Sequence, residues 1–133
     1  MNGKQLFLNI IWAILIGWAF FVEYMVAAFF LALTIIGIPF AYQIARAAFV
    51  ALVPFGTRIG PVSETASVLG TIFNIVWVVL FGWWMALLHV ILAIIFFILI
   101  ITIPFGIASW RLAKFIIWPF NREIEWVEND SWT

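Results

Sequence analysis

Polar positions are sparse along this chain and recur in a fixed order. An apolar stretch of about 33 residues is followed by Ile38-Pro39-Phe40, then a weakly amphipathic stretch carrying Arg46, then Pro54-Phe55. The same order returns with an apolar run to Ile103-Pro104-Phe105, a stretch carrying Arg111 and Lys114, and Pro119-Phe120. Sliding the sequence against itself aligns Phe7–Ile59 with Ile72–Ile124 without a gap, at an offset of 65 residues. Asn9, Trp12, Gly17 and Trp18 then fall on Asn74, Trp77, Gly82 and Trp83. Apolar sequence aligns Ile with Leu by chance, but not Asn, Trp, Gly, Pro and Arg in one register. The chain therefore reads as a single membrane domain with repeat one over 5–59, a linker over 60–69, repeat two over 70–124 and an acidic tail over 125–133.

A helix of 33 residues is roughly 50 Å long, against a hydrocarbon core of about 30 Å. That mismatch predicts a hairpin in each repeat, turning near Glu23-Tyr24 and near Trp84–His89, where polar groups interrupt the runs. The arms, Gln5–Val22 with Tyr24–Ile38 and Val68–Trp84 with Met85–Ile103, lie at or below the short end of the spanning range, so local thinning and partly re-entrant hairpins are both open. After the Pro39 and Pro104 breaks, Phe40–Val53 and Phe105–Trp118 place their polar residues on one helical face. They are expected as interfacial helices ended by Pro54 and Pro119. The predicted fold class is an all-α membrane protein, a tandem parallel repeat of helical hairpins with four short transmembrane helices and two interfacial amphipathic helices.

Composition agrees with a lipid solvent. Of 133 residues, 68% are apolar and 9% charged, with a mean hydropathy of +1.24, whereas a soluble domain is about a quarter charged. Six Lys and Arg with six Asp and Glu cannot cover a soluble surface. The formal net charge of zero offers no basic face to nucleic acid. Without cysteine there is no disulfide or thiolate site. The Leu6–Val22 run exceeds the h-region of a cleaved signal, and cleavage would destroy one repeat. Lys4, Arg46, Arg58, Arg111, Lys114 and Arg122 all lie outside the expected hairpins, which predicts cytoplasmic N- and C-termini.

At Asn74-Ile75-Val76-Trp77, Phe81-Gly82-Trp83-Trp84, His89, Ile103-Pro104-Phe105-Gly106-Ile107-Ala108 and Trp118-Pro119-Phe120, the sequence resembles the YccF domain family of small bacterial inner-membrane proteins. Gly17-Trp18 and Leu52-Val53-Pro54-Phe55-Gly56 carry weaker echoes. The resemblance implies a bacterial inner (plasma) membrane location and transfers no catalytic residue.

The residues present no nucleophile–base pair, paired carboxylates, phosphate-cradling glycine loop or His/Asp/Glu cluster, so enzymatic function, a cofactor and a metal are not expected. Asn9 and Asn74 sit in the first turns of equivalent helices, and read either as hydrogen-bonding glue or as the lining of a polar passage. Glu23 and His89 stand at nearly equivalent positions, as a titrating pair or as polar marks where helix meets water. The nine Trp are expected as headgroup anchors and packing surface rather than a ligand-stacking site. Arg46, Arg111 and Lys114 are candidates for holding anionic lipid headgroups. The function expected first is an oligomeric ion channel or small-solute permeation protein, whose scarce polar groups form rings in a homo-oligomer; the alternative is a non-transporting lipid-interacting or accessory membrane protein.

Overall fold

A computed structural model describes residues 2–60 and 67–126, so the greater part of the linker and the tail beyond Trp126 lie outside the described residues. The protein forms two compact units, one from residues 2–60 with the segment starting at Arg122, the other from 67 to Asn121.

In the first unit, α1 (Gly3–Trp12) opens on a reciprocal cap. The Asn2 side chain accepts from the Gln5 N–H at 2.8 Å, and Gln5 Oε1 accepts from the Asn2 N–H at 3.0 Å. One π-helical stretch, Ala13–Gly17, joins α1 to α2 (Trp18–Ala32), and the whole of Gly3–Ala32 is one continuous helix of 30 residues. The path reverses after Leu33 through a short 3-10 turn, Ile35–Gly37, capped by Thr34, and returns as α3 (Ile38–Leu52) packed against α2. Pro39 occupies the first turn of α3, where its missing N–H has no partner to lose. Strand β1 (Thr57–Ile59) follows and pairs antiparallel with β2 (Ile124–Trp126), with Arg58 opposite Glu125.

The second unit is built alike. Ser67 caps α4 (Val68–Trp77), a π-helical stretch Val78–Gly82 leads into α5 (Trp83–Ile98), and Val68–Ile98 is one helix of 31 residues. After a turn over residues 99–102, α6 (Ile103–Ile116) packs back on α5, with Pro104 in its first turn.

The reversal is therefore not at Glu23-Tyr24 or Trp84–His89, through which the helices run unbroken. A lone carboxylate or imidazole leaves main-chain hydrogen bonding intact. Reversal needs groups that cap and stop a helix, and Thr34, Gly37 and Pro39 supply them. The segments expected as separate interfacial helices are instead the returning arms. Ala41, Ala47, Ala48 and Ala51 on α3, with Ala27 and Ala28 on α2, are buried and let backbones approach closely, the packing that serves where lipid removes the hydrophobic drive. Three helices, Gly3–Ala32, Ile35–Leu52 and Val68–Ile98, are long and apolar enough to cross a membrane.

Candidate functional site

Polar groups within the apolar runs converge where each returning arm ends. The Asn9 carboxamide is buried and donates to the Phe55 carbonyl at 2.7 Å while accepting from the Phe55 N–H at 2.8 Å. Sixty-five positions later, Asn74 donates to the Phe120 carbonyl at 3.1 Å and accepts from the Phe120 N–H at 2.9 Å. Trp12 and Trp77, fully buried, donate through Nε1 to the carbonyls of Ala51 at 2.7 Å and Ile116 at 2.5 Å. A helix leaves its last carbonyls without intrahelical partners, and burial makes each orphan costly. The Asn-x-x-Trp pair of the long helix therefore closes off the C-terminal end of the arm beside it.

The π stretch explains how one residue pair does this. Trp18 N–H bonds to the Ala13 carbonyl and Trp83 N–H to that of Val78, five residues back. The extra residue sets Gly17 beside the Trp12 indole and Gly82 beside that of Trp77. A Cβ added at Gly17 would stand 2.7 Å from Trp12 Cδ1 and 2.8 Å from the Leu52 carbonyl oxygen, and at Gly82 2.9 Å from Trp77 Cδ1. The indole fits only over a glycine.

Glu23 is half-buried in α2, and its Oε1 has no hydrogen-bond partner. His89 is fully buried in α5, and each of the two lies within an unbroken helix rather than at a hairpin end. Arg46 is exposed on α3 with its guanidinium carbon 5.7 Å from the Tyr42 ring centroid. Lys114 is exposed, whereas Arg111 is buried at 8% relative exposure. The spacing of Arg111 and Lys114 puts them on one side of α6. It does not say that α6 turns Ala108, Ser109, Arg111 and Leu112 inward.

Sequence reasoning missed the strand clip. Gln43 Nε2 donates to the Arg122 carbonyl at 3.1 Å, Arg122 Nη1 donates to the Gly60 carbonyl at 3.2 Å, and Arg58 forms an ion pair with Glu125. Partial burial lowers the Arg122 pKa from its ordinary value. It also missed Ser109, buried in α6 with its hydroxyl lacking a partner. Nothing in the sequence distinguishes that serine from a surface one. Among the described residues no group of three or more His, Asp or Glu could hold a metal ion.

The two Asn–Trp caps fall within two separate matches to the sequence model of the YccF inner membrane component domain, at residues 7–57 and 72–122. The protein belongs to the YccF family. It is 33% identical over 129 residues to the inner membrane protein YccF of Escherichia coli (strain K12), covering 91% of this sequence and 87% of that one, and equally to YccF of Shigella flexneri. No solved structure matches it. As a YccF-family member it is a helical inner-membrane protein that passes repeatedly through membrane-length apolar helices.

Proposed function

We propose that this protein is a non-enzymatic, lipid-interacting component of the bacterial inner membrane, with both termini cytoplasmic. The observation carrying this reading is where its polar groups point. Asn9, Trp12, Asn74 and Trp77 spend their hydrogen bonds on the protein's own backbone, while large apolar side chains such as Phe7, Ile14, Val79 and Ile98 cover the outer faces. Such a surface suits acyl chains, and the exposed Arg46 and Lys114 suit the phosphates of anionic lipids, each at about 1 kcal/mol near a membrane surface. Replacing both by Gln should reduce the anionic lipid retained by the purified protein in native mass spectrometry. Retention unchanged from the parent would count against the reading.

One observation favours permeation as a second reading. Glu23 carries a buried carboxylate oxygen without a hydrogen-bond partner inside an apolar run, and ionisable groups so placed commonly mark ion or proton paths. A homo-oligomer would turn that residue into a ring. Flux through proteoliposomes that is lost in Glu23→Gln would establish it.

A further inference from the structure

One acid and one base stand inside the apolar helices of the first unit at a common depth. Gly17 of the long helix meets the end of the returning arm, since a Cβ added there would stand 2.8 Å from the Leu52 carbonyl oxygen. Glu23 lies six residues beyond Gly17 along α2, and Arg46 lies six residues before Leu52 along α3. The returning arm runs back along α2, so both residues are displaced the same way, by about 9 Å at 1.5 Å per residue. Trp18, exposed beside Gly17, marks the headgroup level, and both charges lie on the hydrocarbon side of it. Both helices are long and apolar enough to cross a membrane.

Despite the shared depth the two do not meet. Neither forms a hydrogen bond or an ion pair with another described residue, and one Glu23 oxygen is buried without any partner. Arg46 leans over the Tyr42 ring of its own helix instead. The helical faces explain this. Tyr42, Arg46 and Phe49 share one exposed stripe of α3, and the Phe49 ring packs edge-on against Phe21 of α2 with centroids 5.2 Å apart. Glu23 is two residues from Phe21, which turns it about 200° around α2. Its own stripe, with exposed Val26 and Phe30, opens on the opposite flank. The hairpin therefore carries a cation on one flank and a carboxylate on the other.

The second unit does not repeat this arrangement. Leu88 stands at the position of Glu23, and Arg111, at the position of Arg46, is buried. The hairpin forms without an exposed charge on either flank, so the fold does not require the pair. Ionisable groups at membrane depth are costly until they meet a partner of opposite sign.

We propose that Glu23 of one copy and Arg46 of the next form an ion pair within the membrane, joining copies of the protein head to tail along the flanks of their α2–α3 hairpins. Complementary charges at equal depth on opposite flanks are what a heterologous contact needs, and such a contact repeated by rotation closes a ring. Pairing neutralises both groups, so the contact adds no net charge to the membrane interior. A guanidinium has five N–H donors and a carboxylate engages two of them, leaving others for a lipid phosphate nearer the surface. The assignment does not rest on the lipid-interacting reading, because Lys114→Gln tests lipid retention without touching this pair.

The purified protein should be oligomeric in mild detergent by native mass spectrometry. Glu23→Arg alone and Arg46→Glu alone set like charges across the contact, and each should abolish the oligomer. The two reversals in one chain restore opposite charges and should restore the oligomer, a rescue that misfolding would not show. Geometry is read separately with both charges kept, since Val26 and Tyr42 lie three and four residues deeper on the same two stripes and the sequence has no cysteine. Copies carrying Val26→Cys or Tyr42→Cys, differently tagged and expressed together, should cross-link with each other in native membranes and not with their own kind. A monomeric parent, single reversals that leave the oligomer intact, or the absence of a cross-link between positions 26 and 42 would each overturn the proposal. Where a reversal variant does not insert, the cross-link pattern decides alone.

Discussion

Asn9 and Phe55, 46 residues apart, exchange two hydrogen bonds between one carboxamide and one backbone unit, and Asn74 repeats the exchange with Phe120. Each pair ties the start of a long helix to the end of the arm that returns beside it.

Asn9→Leu or Asn74→Leu removes both hydrogen bonds that the carboxamide exchanges with Phe55 or Phe120, at about 1 kcal/mol or more for each. Thermal unfolding in mild detergent should show a clear drop in Tm for either variant. A Tm equal to the parent's would mean that these carboxamides do not hold the hairpins.

Trp12→Phe and Trp77→Phe remove the Nε1–H donor to Ala51 or Ile116 and leave a cavity where the larger indole was fully buried. The lost hydrogen bond costs about 1 kcal/mol, and the cavity adds to it. The same unfolding assay should show a lower Tm for either variant, and a Tm equal to the parent's would contradict the geometry.

Gly17→Ala should be more damaging than Gly82→Ala, because an added methyl meets both the Trp12 indole and the Leu52 carbonyl oxygen below 3 Å, whereas at Gly82 the Ile116 carbonyl oxygen is 3.3 Å away. Overpacking of this kind costs about 1–3 kcal/mol. Equal stabilities for the two variants would contradict the geometry.

A reporter fused after Thr133 should behave as cytoplasmic, since Lys4, Arg58 and Arg122 stand outside the hairpins on the side that positive charge marks as inside. Periplasmic activity of the fusion would reverse the orientation. Tyr24 is buried in a helix and not at a turn, so a cysteine there is a poor probe of the outer face.

Much of this architecture is legible in the sequence because the informative residues are rare ones. Asn, Trp, Gly and Pro in one register betray the related segments, and Pro39 and Pro104 stand next to the true reversals. The position of the turns is harder to read, because a helix longer than the hydrocarbon core invites a fold at its polar residue. Glu23 lacks any means of stopping a helix, while Thr34 and Gly37, five residues or fewer from Pro39, have it. The role of α3 is obscured in the same way: Gln43 and Arg46 suggest a polar face, whereas the buried alanines of the same helix carry the packing signal. The Asn–Trp caps are not legible at all, since a carboxamide that caps its own backbone and one that lines a passage look alike until the partner 46 residues away is known.

Ion flux in proteoliposomes of the purified protein tests the central claim most directly. If the carboxamides serve the protein's own backbone and the outer faces meet lipid, parent vesicles should show no more flux of K+, Na+, Cl− or protons than empty ones. They should also retain anionic lipid through Arg46 and Lys114. Protein-dependent flux that Glu23→Gln or Asn74→Leu abolishes, with the variant still folded, would contradict the account and establish an oligomeric permeation path.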